Sequence, residues 1–273
     1  MFNNQCWWIT GASSGIGAAL AKVLSAHGAK LILSGRNVTA LEAVAKDCGD
    51  TLILPFEVTD FDQIEKIAAQ AWAWQGRING LVNNAGISQR SLAIDTAFDV
   101  YQQMIDVDLL APIALTQAVL PKMVKAGGGH IVAISSVAGI AGVPMRSAYC
   151  AAKHGLIGYH DAVRAENEHL GIQVHVIAPG SVKTNVSINA LTGDGAKRGV
   201  SDAAIDNGML PSDSATAIVG AIEDGTRELI LATGVEQHIA MLRRSDPDAL
   251  FDATSNMVRE GYAAAMDAKT DES

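Results

Sequence analysis

Short apolar runs alternate along this chain with longer segments whose apolar positions recur at helical spacing. The runs Cys6–Thr10, Lys30–Ser34, Thr51–Phe56, Gly80–Asn83, His130–Ser135, Gln173–Ala178 and Glu228–Leu231 are short and mostly apolar, and they predict buried strands. Between them, Gly15–His27, Val38–Cys48, Phe61–Trp74, Ala97–Lys125, Ser147–Leu170 and Ser212–Asp224 carry the amphipathic pattern of helices. Strands apolar on both sides, each followed by a helix, predict a parallel sheet covered on both faces. Right-handed crossovers then give an α/β, doubly wound parallel sheet of about seven strands.

The punctuation agrees with this order. Gly28 stands where a helix C-terminus favours glycine, and Gly127, Gly128 and Gly129 separate the long fourth helical segment from its strand. Pro112 lies inside that segment and predicts a kink or an irregular turn. Two stretches break the alternation: residues 186–210, polar and weakly periodic after the sixth strand, and a C-terminal extension over 235–273. Neither is long enough to form a second domain, so residues 1–273 read as a single unit.

Composition narrows the function. The formal net charge is -9, which repels phosphate backbones and makes nucleic acid an unexpected partner. The first apolar run is too short for an export signal or a membrane span. The cysteines Cys6, Cys48 and Cys150 are odd in number and unclustered, as expected of reduced thiols in the cytoplasm rather than of a disulfide or metal site.

Candidate chemistry begins after the first strand, at Gly11-Ala12-Ser13-Ser14-Gly15-Ile16-Gly17. Glycines at these positions suit a tight turn, close backbone approach to a pyrophosphate, and a helix packed directly on a strand. The helix that follows offers free N–H groups and its positive end to phosphate. This is the dinucleotide turn of a Rossmann fold. At the end of the second strand, Gly35-Arg36 replaces the acid that would bind a bare ribose, and Arg36 suits a 2′-phosphate. The expected cofactor is therefore NADP(H), with Ser14 adding a hydroxyl.

Tyr149 and Lys153 are four residues apart on one helical pattern and so share a face. A phenol is a poor acid at neutral pH, and a neighbouring ammonium favours its ionised form. Ser136 lies just past the fifth strand, at the carboxyl edge of the sheet, where its hydroxyl can hold a substrate oxygen.

Taken together, these motifs, with Asn83-Asn84-Ala85-Gly86 and Pro179-Gly180 through Thr184, resemble the short-chain dehydrogenase/reductase family over nearly the whole chain. The resemblance implies an oxidoreductase that reduces a ketone or aldehyde, or oxidises the matching secondary alcohol. It implies Ser136, Tyr149 and Lys153 as catalytic residues. The thirteen-residue step from Ser136 to Tyr149, rather than from Ser135, matches the family. It also implies cofactor contacts from Gly11, Ser13, Ser14, Gly15, Ile16, Gly17, Arg36, Glu57, Val58, Asn83, Ala85, Gly86, Tyr149, Lys153, Pro179, Gly180, Val182 and Thr184, and a homodimer or homotetramer built on the fourth and fifth helical segments.

Two positions depart from the family. Asp108 stands where the family has Asn, and its acid is expected to pair with Lys153 through water or to weaken the proton relay. Glu57 stands where the family has an Asp that accepts from adenine. The segment 186–210 is expected to cover a substrate pocket, and it resembles a branch of the family acting on bulky apolar carbonyls. Arg90 and Arg146 either select an anionic group or are solvated rim residues. Other readings are an NAD-linked alcohol dehydrogenase and a dinucleotide-binding protein with little catalysis.

Overall fold

The computed structural model describes residues 1–267, so the last residues of the expected C-terminal extension, 268–273, lie outside it. Seven parallel strands form one sheet: β1 (Cys6–Thr10), β2 (Lys30–Ser34), β3 (Thr51–Ile53), β4 (Gly80–Asn83), β5 (Gly129–Ile134), β6 (Ile172–Pro179) and β7 (Glu228–Leu231). Their spatial order is β3-β2-β1-β4-β5-β6-β7. The chain winds one way from β1 to β3 and the other way from β4 onward, so the crevice between β1 and β4 lies at the switch point where such sheets bind ligands.

The helices are α1 (Gly15–Ala26), α2 (Val38–Ala45), α3 (Ile64–Gln75), α4 (Phe98–Ile105), α5 (Ala111–Lys125), α6 (Ser147–Asn167), α7 (Ala203–Asp206), α8 (Pro211–Glu223), α9 (Gly234–Ser245), α10 (Pro247–Arg259) and α11 (Tyr262–Asp267). Strand alternation in β1 divides the core. Trp7 and Ile9 join Leu20, Leu24, Ile218 and Ile222 on the α1/α8 side, while Trp8 joins Ala68, Leu115, Val119 and Met123 on the α3/α5 side. Both indoles are fully buried, and each N–H has a partner: Trp7 donates to Gln5 Oε1 at 3.1 Å and Trp8 to Ser34 Oγ at 2.9 Å.

The strand and helix positions follow the sequence pattern, with three differences. β3 stops at Ile53 instead of reaching Phe56, because Pro55 has no N–H to give a ladder. α2 ends at Ala45, short of Cys48, and its chain turns away through Lys46–Cys48. The fourth helical segment is not continuous: α4 passes into a π-turn over Asp106–Leu110 before α5 begins. Pro112 explains the break. It has no N–H for the Asp108 carbonyl, and its ring would strike that carbonyl in a regular helix, so the backbone widens just before it. The combined run Phe98–Lys125 is long and apolar enough by composition to cross a bilayer, but Leu115, Ala118, Val119 and Met123 pack in the core beneath the sheet and Val100 and Met104 in a smaller cluster with α6, while Phe98 is exposed.

Three histidines are buried in the core. His130 on β5 and His175 on β6 stack with ring centroids 5.4 Å apart. The His175 Nδ1 proton goes to the Thr226 carbonyl at 2.7 Å, so its Nε2 accepts from His130 Nδ1 at 3.1 Å. His160 on α6 donates from Nδ1 to the Leu156 carbonyl, and its Nε2 is buried without a partner. Burial, reinforced by His175, holds His130 down at about 4; burial also holds His160 at about 4 and lowers His175.

The rings are neutral in the fold, whereas the unfolded chain protonates them near pH 6.5. Between these values the unfolded state binds more protons, so stability is whole above pH 6.5 and falls as the pH drops towards 4. His130 and His160 contribute at most about 3 kcal/mol each to this loss. Urea unfolding midpoints are expected to fall steeply over that window. His160→Leu, which removes one ring and its unpartnered nitrogen, is expected to flatten the slope; an unchanged slope would remove His160 from the account.

Candidate active site

The glycine turn after β1 is shaped by close contacts that exclude side chains. Gly11 has φ +64°, a left-handed conformation that favours glycine. A Cβ on Gly17 would stand 2.4 Å from the Gly11 carbonyl oxygen and 2.5 Å from Asn84 Nδ2, so α1 presses directly onto the turn. Ser14, at the N-cap of α1, makes no capping bond with its side chain, which leaves its hydroxyl available beside the free N–H groups of the helix. Thr184 lies across the turn, its methyl 3.0 Å from where a Gly15 Cβ would be. Residues 169 positions apart therefore face one another over the place where a pyrophosphate fits.

Asn83, expected to bring its backbone close to the cofactor, ends β4 and anchors its amide by donating to Thr116 Oγ1 on α5 at 3.0 Å. The next residue grips the turn. Asn84 Nδ2 donates to the carbonyls of Thr10 at 2.9 Å and Gly11 at 3.2 Å. The Thr10 hydroxyl donates to the Val82 carbonyl and accepts from the N–H groups of Asn84 and Ala85 at 3.0 and 3.1 Å. Thr10 and Asn84 thus lock the ends of β1 and β4 together at the crevice. Both lie within motifs of the sequence, Thr10 at the head of the glycine turn and Asn84 in Asn83-Asn84-Ala85-Gly86, but nothing there assigned their side chains this task.

At the end of β2, Arg36 is 75% exposed and pairs with Glu57 at 3.3 Å. The Glu57 carboxylate expected at adenine is therefore turned towards Arg36. Val58 behind it is buried. A Cβ on Gly35 would be 3.5 Å from Ser13 Oγ, which brings the end of β2 and the glycine turn to one spot.

On the other side of the crevice stand the acid–base candidates. Ser136 caps the short turn Val137–Gly139, accepting from the Ala138 N–H at 3.1 Å, and faces the Pro179 carbonyl at 3.4 Å. Ser135 is engaged elsewhere: its hydroxyl donates to the Lys153 carbonyl at 3.1 Å, fastening the end of β5 to α6. Lys153 Nζ sits 5.6 Å from the centre of the Tyr149 ring and donates to the Ile134 carbonyl at 3.1 Å.

Asp108 departs from the expectation of a water-linked pair. The π-turn delivers its carboxylate, completely buried, to within 3.2 Å of Lys153 Nζ, while Oδ1 accepts from the Ile87 N–H at 2.8 Å. Burial pushes the Asp108 carboxyl up, against the pull of Lys153. Burial also acts to lower the Lys153 ammonium, but the charges of Asp108 and Tyr149 outweigh it and hold it above its ordinary value. Oδ2 is the oxygen that faces Lys153, close enough for an ion pair but not aligned for a hydrogen bond. Gly86 opposes this pair: a Cβ there would stand 3.3–3.4 Å from both Asp108 oxygens and from Lys153 Nζ. Gly86 thus packs directly on the pair with no room for a side chain, and the Lys153 ammonium suits a polar, hydroxyl-bearing group such as a nucleoside ribose.

A further site residue was not legible at all. Glu236 on α9 accepts from both the N–H and the hydroxyl of Ser181, at 2.7 and 2.8 Å. It thereby fixes the Pro179-Gly180 turn from the far end of the chain. Val182 continues from this turn and is buried where it bridges Met209.

Residues 5–194 match the family of short chain dehydrogenases. Among curated proteins, dehydrogenase/reductase SDR family member 7B of Danio rerio is 41% identical over 234 residues, covering 82% of this chain and 76% of that protein. Among solved structures, a short-chain dehydrogenase of Streptomyces avermitilis superposes with TM-score 0.77 at 27% identity, covering 95% of this chain and 99% of that one. Levodione reductase does so with TM-score 0.76 at 26% identity, covering 86% and 98%. The chain belongs to the short-chain dehydrogenase/reductase family and is an oxidoreductase whose fold binds a nicotinamide dinucleotide.

The buried pair generates a two-part prediction. Asp108→Asn keeps an acceptor for Ile87 and a dipole for Lys153, and is expected to fold with a smaller loss of stability than Asp108→Leu, with turnover equal to or above the parent. Asp108→Leu strands the Lys153 charge and is expected to cost about 3–5 kcal/mol of stability, read as a lowered denaturation midpoint. A collapse of turnover in Asp108→Asn at unchanged stability would assign Asp108 a chemical task of its own.

Proposed function

We propose that this protein is an NADP(H)-dependent reductase of ketones or aldehydes, equally able to oxidise the matching secondary alcohol. The observation that carries the reading is the convergence of Tyr149, Lys153 and the Ser136 turn at the carboxyl edge of the sheet. There a Cβ on Gly139, within that turn, would meet the Lys153 backbone.

When bound, the nicotinamide supplies or accepts the hydride. In this reading the Ser136 hydroxyl holds the substrate oxygen, and Tyr149 gives that oxygen its proton in reduction or takes one from the alcohol in oxidation. Lys153 holds a nicotinamide ribose hydroxyl and stabilises negative charge developing on the phenol. Asp108 fixes the Lys153 head group through their ion pair. The turn Gly11–Gly17, including Ser13, Ser14 and Ile16, receives the pyrophosphate together with Thr184. Ala85, Gly86, Pro179, Gly180 and Val182 line the nicotinamide half, and Glu57 and Val58 the adenine half.

NADP is favoured over NAD because Gly35 carries no acid and the Arg36 guanidinium is exposed at the end of β2. The Arg36–Glu57 pair favours the second reading, an NAD-linked alcohol dehydrogenase, since it places a carboxylate near the adenosine ribose. Reduced thiols at Cys6, Cys48 and Cys150 support a cytoplasmic setting. A homodimer or homotetramer rests on the family likeness alone.

Tyr149→Phe is expected to abolish nearly all turnover while leaving cofactor affinity close to normal; substantial residual rate would take the proton-donor role from Tyr149. Losing the Arg36 contact is expected to weaken NADPH by roughly ten- to a hundredfold. Gly35→Asp with Arg36→Leu should show that loss in fluorescence titrations while NADH binding is unchanged or improved. A parent protein that binds NADH more tightly than NADPH decides for the second reading.

A further inference from the structure

Beside the acid–base residues, three arginines meet one carboxylate. Arg90 donates from Nε to Asp202 Oδ2 at 2.8 Å, with Nη2 closer still, and Arg198 donates to Oδ1. Arg146 Nη2 stands 3.6 Å from the same Oδ2, beyond hydrogen-bond reach. Arg90, Arg198 and Asp202 are almost completely buried. Burial pushes Asp202 up, but Arg90 and Arg198 outweigh it and hold it down at about 2, so its charge is present. Arg90 is therefore neither a solvated rim residue nor available to a ligand.

The cluster is unbalanced. Among the described residues no other carboxylate pairs with these three guanidiniums, so one anion faces three cations. Buried charge without a counter-ion is costly. It is unusual also in a chain whose overall charge is -9. Arg90 and Arg198 are satisfied: besides Asp202, they donate to Ser88 Oγ and the Gln89 carbonyl, and to the Met266 carbonyl. Arg146 is the unsatisfied member. Its Nε is buried without a partner, and its side chain remains 19% exposed.

Its position points to the substrate. Arg146 is the N-cap of α6, three residues before Tyr149. Ser91 fastens this corner by donating its N–H to the Met145 carbonyl at 3.0 Å. The segment 186–210 supplies both Asp202 and Leu191, and Leu191 lies in the same apolar cluster that Tyr149 packs against. The open guanidinium thus stands where the substrate-covering segment meets the start of the catalytic helix.

We infer that Arg146 binds an oxyanion, a carboxylate or phosphate group carried by the carbonyl substrate, and so selects anionic over neutral carbonyls. This rests on the reading of the chain as a carbonyl oxidoreductase and adds a substrate class to it. Asp202 holds Arg90 and Arg198 as a fixed cationic backing, and the incoming anion supplies the counter-charge that the cluster lacks. A planar guanidinium suits either oxyanion through paired N–H donors.

Two experiments test it. The first needs no turnover: protein loaded with NADP⁺, so that the cofactor's own phosphate sites are filled, is titrated with inorganic phosphate and with acetate against chloride at constant ionic strength. Thermal unfolding is expected to rise with phosphate or acetate in the parent and in Arg146→Lys, and not in Arg146→Met; the stronger of the two anions identifies the group. The second compares a keto acid with its methyl ester in NADPH oxidation. Arg146→Met is expected to lower kcat/KM for the acid by roughly 10- to 100-fold and to leave the ester unchanged. Equal stabilisation of parent and Arg146→Met, or a parallel fall for acid and ester, overturns the inference. Those outcomes leave the oxidoreductase reading intact as long as either carbonyl is reduced. If neither is reduced while the anion response still depends on Arg146, the site stands and the reaction reading is what fails.

Discussion

The ion pair between Asp108 and Lys153 is the constraint on which the rest of the site depends. It joins four parts of the chain that share no local sequence. The π-turn between α4 and α5 supplies the carboxylate, the loop after β4 donates the Ile87 N–H to it, β5 offers the Ile134 carbonyl to the ammonium, and α6 carries Lys153 beside Tyr149. A charge buried in this way is tolerated only with its counter-charge at hand, so none of the four parts can shift without exposing the others to that cost. The pair also fixes the Lys153 side chain beside Tyr149, the preorganisation that the proposed acid–base role calls for.

Three solutions to the burial of ionisable groups coexist in the molecule. Asp108 and Lys153 balance one another. His130, His160 and His175 stay neutral, their protons placed by carbonyls or by one another. The guanidiniums around Asp202 remain charged and outnumber their counter-ion. The first two are balanced in charge within the chain. The third is not, and it lies where the segment 186–210 meets the N-terminus of α6.

The C-terminal third shapes a site whose motifs lie earlier in the chain. The family match ends at residue 194, yet Asp202 organises the arginines beside α6, and Glu236 clamps the turn after β6 with two hydrogen bonds. A clamp on Ser181 from α9 makes the position of the Pro179-Gly180 turn a property of the whole fold. It also ties the end of β6 to a helix that begins 55 residues after it in sequence.

What the sequence by itself determined is what local chemistry can specify. Short continuous apolar runs and period-3.6 patterns placed the strands and helices, because which faces are apolar is written in neighbouring residues. The glycine turn was legible because its geometry excludes side chains at fixed spacing, and Tyr149 with Lys153 because one helical turn brings them together. Pro112 marked the irregular turn through its missing N–H. The direct contact of Asp108 with Lys153, the grip of Asn84 and Thr10 on the glycine turn, the engagement of Arg90 with Asp202 across 112 positions, and the reach of Glu236 to Ser181 were decided only by tertiary structure. Each joins residues far apart in sequence, and no local period or propensity encodes which of several buried polar groups will face which. That choice is made only when the sheet and helices pack and bring particular buried groups within reach of one another.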